Sequence, residues 1–256
     1  MINVITINLL AEKAYRKYCK VALLDFSKRS ERFYLQITKL MPDVMLLQEV
    51  DLFWREYLES NIVKLGYSIQ FGECWSSGLA ILWRNDLMKS SNTEPLNFSN
   101  AGVLSIELVI SESNEVMHFI NLHAPWGRAE KFENFYLSAV EGNAQVIIAG
   151  DLNTDDPEKN NNFNYFFSKL FKSEKGYKEL TEFIQFTARN VKTNNAEKLD
   201  YIVGLNIFGN NTKIYPEILS LLLPHSAGGE FFSDNENNHF SDHALVFSNI
   251  TLKNRN

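Results

Sequence analysis

Short runs in which apolar residues are consecutive or alternate with polar ones recur along the chain and predict β-strands. In order they read INVITIN, DVMLLQE, YSIQFG, GLAILWR, VLSIELVI, VMHFINLH, AQVIIAG, LDYIV and ALVFSNI. Apolar residues at helical spacing occupy several of the intervals, at residues 25–40, 51–64, 129–141 and 161–171. Helices therefore separate some of the predicted strands but not all of them.

One pair of predicted strands bears directly on the fold class. The runs VLSIELVI and VMHFINLH are joined by the short link SESNE, which predicts a hairpin and antiparallel pairing. A doubly wound fold, in which strand and helix alternate uniformly, would not contain this hairpin. We therefore predict an α/β fold in the form of a four-layer sandwich, with two packed mixed β-sheets flanked by helices.

Length and composition predict one domain that folds by itself. The chain has 256 residues, of which 45% are apolar and 13% aromatic, enough to bury a substantial core. We therefore expect residues 1–256 to form a single domain. The first residues lack the basic start and the cleavage site of a signal peptide, and no apolar stretch approaches the length of a membrane span. A soluble, cytoplasmic monomer is the expectation.

The net charge restricts the kind of partner. At pH 7 the chain carries a formal charge of −6 and contains no basic run. Proteins that draw their affinity from the backbone of long nucleic acids usually present a basic surface, because Lys and Arg release counterions there. Any chemistry on phosphate must therefore depend on a local site, which favours the use of a divalent cation.

Polar side chains stand at or beside the ends of several predicted strands. Strand ends on a rigid sheet are common places for binding groups. These residues are Asn8, Glu49, His123, Asp151, Asn153 and Asp200. Their spacing along the chain matches the strand boundaries, so they are candidates for one shared site.

Each candidate also has a structural interpretation. Glu49 is a candidate cap for the helix that opens near Asp51, and a satisfied polar group is common at a strand end such as Asn8. His123 has the alternative of a core histidine that donates to a carbonyl. The GDLNT segment places Asp151 and Asn153 so that carboxylate and amide can face one point, but it also suits an Asx turn.

The chemical type of the set indicates a metal. Carboxylate and amide oxygens dominate, and they are the ligands of hard cations such as Mg²⁺ or Mn²⁺. The two cysteines, Cys19 and Cys74, lie far apart in sequence and without metal-type spacing, so we treat them as ordinary thiols. Such a set suffices for metal-assisted attack of water on phosphorus.

A further acid and histidine lie side by side near the C-terminus, at Asp242 and His243 in the segment NHFSDHALVF. The pair sits between a polar loop and a predicted strand. Alone it is more typical of a turn cap than of a catalytic dyad.

Seven motifs in this order resemble the endonuclease/exonuclease/phosphatase superfamily, and within it the deadenylase and nocturnin branch. They are INVITINLL, PDVMLLQEV, GLAILWR, INLHAPW, IIAGDLNT, KLDYIVG and FSDHALV, running from residue 2 to residue 247. The resemblance implies two packed mixed sheets flanked by helices, in agreement with the pattern analysis. It also implies a metal-dependent phosphoric ester hydrolase.

The resemblance implies a role for each candidate at the metal. Glu49 would ligate Mg²⁺ directly, Asn8 would help to hold the metal or its water, and Asp242 would lie at the metal site. Asp151 would orient or deprotonate the attacking water, with Asn153 beside it on the phosphate.

The two histidines would then serve the phosphate. His123 would contact a non-bridging oxygen, and His243 would turn to the phosphate while Asp200 orients its ring. A carboxylate beside an imidazole holds one tautomer and favours the cation, which stabilises a dianionic transition state.

The chain departs from the deadenylase pattern where adenine would bind. It reads HAPWGR and TNNAEKLD, so Trp126 is present while the usual proline and the aromatic before Asp200 are not obvious. Specificity for adenine therefore stays open. Trp126 is a candidate for stacking on a terminal base, with burial under its loop as the alternative.

Three functions remain at this stage. The first is a Mg²⁺-dependent phosphodiesterase acting on the 3′ end of single-stranded RNA or on a small nucleotide. The second is a phosphatase or phospholipase-like member of the same superfamily, acting on a phosphoinositide, sphingomyelin or a soluble phosphoester. The third is a non-catalytic binding module, which would predict a decayed site, whereas the expected polar positions are filled.

Overall fold

A computed structural model of the chain describes residues 1–18, 25–74, 77–91, 95–98, 102–124, 145–153, 178–180, 188–189, 196–205, 207 and 245–250. The strands in chain order are β1 (Ile2–Asn8), β2 (Val44–Val50), β3 (Tyr67–Glu73), β4 (Gly78–Arg84), β5 (Met88–Ser90), β6 (Leu96–Phe98), β7 (Val103–Ile110), β8 (Val116–His123), β9 (Gln145–Asp151), β10 (Lys178–Glu179), β11 (Ala188–Arg189), β12 (Ala196–Glu197), β13 (Asp200–Leu205) and β14 (Val246–Ile250). Each strand predicted from the sequence pattern is present, and the short strands β5, β6, β10, β11 and β12 are additional.

The helices within these ranges precede the second sheet. They are α1 (Glu12–Tyr18), α2 (Phe26–Leu40) and α3 (Leu52–Tyr57), the last continued by a π-helical turn at Leu58–Ile62 and a 3₁₀ turn at Val63–Leu65. The helices predicted at 25–40 and 51–64 are therefore confirmed, whereas α1 was not predicted. The helices predicted at 129–141 and 161–171 lie outside the described residues. None of the helices in the described part of the chain is long and apolar enough to cross a bilayer.

Both ends of α2 follow from local chemistry. The Asp25 carboxylate accepts a hydrogen bond from the backbone N–H of Lys28 at 2.9 Å, which satisfies a donor of the first turn. Met41 adopts a left-handed conformation (φ 43°) at the C-terminus, and its N–H donates to the carbonyl of Ile37. Pro42 follows and cannot continue the helix.

Apart from β11 and β12, which pair with each other in a separate two-stranded sheet, the strands form two mixed sheets, as predicted. The first has the order β14-β1-β2-β4-β3, and the second has the order β10-β13-β9-β8-β7-β5, with β6 also pairing β7. Pairing is parallel between β1 and β2 and between β8 and β9, and antiparallel in the other pairs of these two sheets. The predicted hairpin is the antiparallel pair β7 and β8.

Two apolar layers hold the sandwich together. One lies between the sheets and joins residues such as Val4 and Leu46 of the first sheet to Phe119 and Ile147 of the second. The other lies between the first sheet and the helices, where Phe33 of α2 packs with the outward-facing residues of β1 and β2. Alternate residues of β1 and β2 thus serve different layers, so the first sheet is buried on both faces.

Candidate active site

Three candidates form a row across the second sheet. In the strand register His123 stands opposite Asp151, and Asp151 stands opposite Asp200, at the same edge of β8, β9 and β13. All three side chains are buried. They are in phase with the core residues Phe119 and Ala149, so strand alternation directs them into the space between the sheets.

The side-chain amide of Asn8 bonds to one acid from each sheet. Its Nδ2 donates to Glu49 Oε1 at 3.0 Å and to Asp151 Oδ2 at 3.0 Å, although Asn8 and Asp151 are 143 residues apart. His123 Nε2 lies 3.9 Å from Glu49 Oε1 and 3.8 Å from Asp151 Oδ2. Residues from β1, β2, β8 and β9 therefore converge on one point, as the strand-end pattern predicts.

The orientation of Asn8 is specific. Its oxygen Oδ1 accepts a hydrogen bond from the N–H of Leu10 at 2.9 Å, while its nitrogen faces the two carboxylates. In this geometry Asn8 orients Glu49 and Asp151 through N–H donation. Its predicted part in holding the metal or its water remains a prediction.

Glu49 reaches the site through a β-bulge. Gln48 is in phase with Val44 and Leu46, so in a regular strand Glu49 would face the helices instead. The pairing of β2 with β4 shifts between Leu47 and Val50, and Glu49 has a left-handed φ of 54°. The extra residue re-aims the Glu49 carboxylate toward Asn8 and His123.

The sequence left open that Glu49 caps a helix, but the cap of α3 is Asp51. Asp51 Oδ1 accepts a hydrogen bond from the N–H of Trp54 at 3.1 Å, in the first turn of α3, and Oδ2 accepts from the N–H of Glu12 at 2.7 Å. Glu49 Oε2 instead accepts from the N–H of Ala11 at 3.0 Å. Its two oxygens are thus held by Asn8, at the end of β1, and by Ala11, in the turn that follows.

The end of β9 and the residues after it combine a tight turn with the acid. Gly150 has φ 147°, and a Cβ there would clash with the carbonyl of Leu122 on the neighbouring strand, so only glycine fits. The N–H of Asn153 donates to Asp151 Oδ1 at 2.8 Å, and Asn153 itself has φ 49°. The Asx turn considered from the sequence is therefore present, and it orients the Asp151 carboxylate.

The Asn153 side chain was expected to face the phosphate beside Asp151, but it points to the backbone. Its Nδ2 donates to the carbonyl of Ala124 at 2.8 Å, which ties the end of β9 to the residue after β8. The amide therefore contributes to structure, and contact of Asn153 with a phosphate remains a prediction.

His123 has features of both of its interpretations. The ring is buried, with Nδ1 4.0 Å from Sγ of Cys74, yet Nε2 faces the two acids of the site. Cys74 carries a thiol and is not part of a disulfide, as predicted. An imidazole held in this way can present Nε2 to an anionic ligand.

Three predicted residues lie outside the described residues. These are Trp126, Asp242 and His243. Asp200 is described and fully buried at the edge of the row, but its predicted pairing with His243 remains a prediction.

Sequence reasoning missed three buried polar residues behind the site. Gln48 and Asn121 bond to each other between the sheets, and Arg29 of α2 bonds to the turn that follows Asn8. The sequence could have identified Gln48 and Asn121, because each lies at a position of its strand whose alternate neighbours are apolar and face the layer between the sheets.

The oxygen chemistry of the site suits a hard cation. Two carboxylates approach one amide and one imidazole in a largely buried setting, where close acids are costly unless positive charge offsets them. Glu49 and Asp151 supply oxygen donors of the kind that Mg²⁺ and Mn²⁺ prefer. Within the described ranges no group of three or more His, Cys, Asp or Glu side chains is arranged to hold a metal ion by itself.

Comparison with known proteins places these observations in a family context. The sequence model that describes the Endonuclease/Exonuclease/phosphatase family matches residues 5–243 of the chain. The Probable RNA exonuclease NGL3 of Saccharomyces cerevisiae is 30% identical over 104 residues, which are 39% of this chain and 21% of that protein. The match therefore spans about a fifth of the length of this relative.

Solved structures share the fold along nearly the whole chain. The human Nocturnin catalytic domain with a bound sulfate anion has a TM-score of 0.70 at 19% identity, covering 98% of this chain and 94% of that one. D. rerio TDP2 in complex with a single-strand DNA product has a TM-score of 0.67 at 15% identity, with 98% of each chain covered. The mannosyl-6-phosphatase Bt3783 of Bacteroides thetaiotaomicron also has a TM-score of 0.67 at 15% identity, covering 98% of this chain and 100% of that one. The predicted fold class is thus confirmed.

Proposed function

Because the chain belongs to the endonuclease/exonuclease/phosphatase family, whose members are hydrolases that act on phosphoesters, we propose that it is a divalent-cation-dependent phosphodiesterase. Its substrate is the 3′ end of single-stranded RNA or a small nucleotide. The observation that carries this proposal is the convergence of Glu49, Asp151 and His123 around the amide of Asn8. The similarity to an RNA exonuclease and to nocturnin supports RNA or a nucleotide as the substrate.

Glu49 provides the place for the cation, with Asn8 aligning its carboxylate and Asp242 as a further predicted ligand. The Glu49 carboxylate is fixed by Asn8 Nδ2 and by the N–H of Ala11, so its position is set before any ligand binds. When bound, Mg²⁺ or Mn²⁺ supplies positive charge that offsets the acids and the substrate phosphate and makes a nearby water more acidic.

Asp151 is suited to act on the attacking water. Both of its oxygens have defined partners, Oδ1 at the N–H of Asn153 and Oδ2 at Asn8 Nδ2, so the carboxylate is oriented. A buried and oriented carboxylate can accept the proton that the water loses as it attacks phosphorus. His123 Nε2 donates to a non-bridging oxygen of the phosphate in this scheme.

The test is a substrate panel with product identification. Purified protein is incubated in Mg²⁺ with poly(A), mixed RNA, single-stranded DNA, dinucleotides, phosphoinositides and sphingomyelin. We expect nucleotide release from the RNA or dinucleotide samples, its loss in EDTA and its return with Mg²⁺ or Mn²⁺. Release of inorganic phosphate instead would assign the chain to the phosphatases of the family, and turnover in EDTA would contradict the mechanism.

Replacement of Glu49 by glutamine is expected to raise the Mg²⁺ concentration for half-maximal activity by about 10-fold or more. The neutral amide keeps the size of the side chain but binds a hard cation less well, so high Mg²⁺ should restore part of the activity. The matched control is Glu59→Gln, the same change at an exposed acid of the π-helical turn. Equal Mg²⁺ curves for the two variants would remove Glu49 from the metal site.

Substrate length should matter little beyond the scissile bond. A chain with a formal charge of −6 and no basic run gains little from a long phosphate backbone, since that affinity scales with Lys and Arg contacts. We expect kcat/KM for oligoadenylates to level off within a few nucleotides, with a salt dependence equivalent to about one to three phosphate contacts. Trp126→Ala, measured alongside, should lower kcat/KM if Trp126 stacks on the terminal base, an interaction of about 1–3 kcal/mol. Steady gains in kcat/KM beyond about ten nucleotides, with a steep salt slope, would instead indicate a basic groove along a longer strand.

A further inference from the structure

Two amide side chains meet in the apolar layer between the sheets. Gln48 of β2 and Asn121 of β8 are both 0% exposed. Gln48 Nε2 donates to Asn121 Oδ1 at 2.6 Å. Buried amides lower stability unless their hydrogen bonds are recovered, so a pair at this depth indicates a specific structural task.

Asn121 holds the two strands that border the β-bulge. Its Nδ2 donates to the carbonyl of Leu47 at 2.8 Å and to the carbonyl of Ala80 at 2.9 Å. Leu47 and Ala80 stand opposite each other on β2 and β4, at the last regular pair before the register shifts. One side chain from the second sheet thus pins both strands of the first sheet where the bulge begins.

Gln48 extends this attachment to a third strand. Its Nε2 also lies 3.0 Å from Thr6 Oγ1, on β1, and 3.0 Å from the carbonyl oxygen of Leu46, so its two hydrogens are shared among three acceptors. Thr6 precedes Asn8 by two residues and faces the same side of β1. The amide pair therefore connects β1, β2, β4 and β8, and three of these strands carry Asn8, Glu49 and His123 at or next to their ends.

The bulge needs such support because Glu49 occupies an unfavourable conformation. A non-glycine residue at φ 54° persists only when the surrounding structure compensates for its conformational cost. The same backbone conformation aims the Glu49 carboxylate at Asn8. The contacts that support the bulge therefore also place the Glu49 carboxylate.

We propose that Gln48 and Asn121 are positioning residues, which hold the Glu49 bulge and thereby the cation-binding geometry of the site. This inference rests on the proposed function, in which Glu49 binds the cation. Neither amide contacts substrate in this scheme, because both lie below the site between the sheets. Their effect is transmitted through the backbone of β2.

The test replaces Asn121 with leucine, which has a similar size but donates no hydrogen bond. Mn²⁺ binding to the purified variant is measured by electron paramagnetic resonance, and we expect the Kd to rise by about 10-fold or more. The matched control is Gln145→Leu, which removes another buried amide, at the opposite end of β9 from Asp151. The control should keep the Kd of the unaltered protein.

Amide hydrogen exchange provides a readout that needs no metal. The N–H of Ala11 donates to Glu49 Oε2, so its exchange should accelerate in Asn121→Leu but not in Gln145→Leu. Thr6→Val removes one acceptor of Gln48 with little change in shape, and it should shift both readouts in the same direction by a smaller factor. If Asn121→Leu does not fold, Thr6→Val tests the positioning role in its place.

The outcomes separate the two proposals. Unchanged Ala11 exchange and unchanged Mn²⁺ affinity in folded Asn121→Leu, or in Thr6→Val when the former does not fold, would overturn the positioning role. Faster Ala11 exchange in a protein whose unaltered form binds no Mn²⁺ would support the positioning of Glu49 and overturn the proposed function instead.

Discussion

Replacement of Asp151 by asparagine is expected to lower kcat by at least about 100- to 1,000-fold, the scale of removing a general base. The amide keeps the shape of the side chain and an oxygen that can accept from the N–H of Asn153. It cannot take a proton from the attacking water at neutral pH. The measurement is kcat over a range of Mg²⁺ concentrations, with thermal melting to establish that the variant is folded.

The Mg²⁺ dependence distinguishes the role of Asp151 from that of Glu49. High Mg²⁺ should restore part of the activity of Glu49→Gln, because that variant is deficient in binding the cation. It should not restore Asp151→Asn, because the missing step is proton transfer. If both variants recover in parallel, Asp151 holds the cation, and another group accepts the proton.

Replacement of Arg29 by methionine is expected to lower the free energy of unfolding by about 3–5 kcal/mol, the usual cost of removing one partner from a buried ion pair. The Arg29 side chain is 0% exposed, and its Nη1 lies 2.7 Å from Oε2 of the buried Glu12. Its Nη2 donates to the carbonyls of Leu9 at 2.7 Å and Leu10 at 2.6 Å. Methionine fills similar space but leaves the Glu12 carboxylate and two buried carbonyls poorly satisfied.

Chemical denaturation of a small set of variants measures this effect. The matched control is Arg16→Met, since the Arg16 side chain is the 69% exposed partner of the same Glu12 carboxylate and the change should cost less than about 1 kcal/mol. The double variant Glu12→Leu/Arg29→Met should recover much of the stability, because no charge is then left buried. A loss in Arg29→Met no larger than that in Arg16→Met would contradict the network.

The Arg29 network also reaches the candidate site. The turn after β1 contains Leu10 in a left-handed conformation, φ 56°, and the N–H groups of Leu10 and Ala11 bind Asn8 and Glu49. Arg29 holds the carbonyls of the same turn. The helix predicted at 25–40 therefore contributes more than an apolar face: it carries the cation that holds the turn beside the metal-site candidates.

Much of the fold could be predicted from the sequence because strand patterns are local. Alternation over a few residues identified β1, β2, β4, β7, β8 and β9, and the link between β7 and β8 predicted their antiparallel pairing. The helix α1 was missed, since it is short and its turn is held by tertiary contacts, such as the ion pair of Glu12 with Arg29. The short strands β5 and β6 were missed for a similar reason, because they exist as partners of β7.

The candidate site divides in the same way. The sequence alone determined which polar residues end a strand on its interior phase, since side chains alternate with a period of two. That local rule places Asn8, His123 and Asp151 on the faces that meet. Glu49 is out of phase in its strand, and only the register shift between β2 and β4 turns its carboxylate into the site. The amide bridge of Gln48 and Asn121 likewise depends on how the sheets pack, because its two residues are 73 positions apart and have no local interaction that selects them.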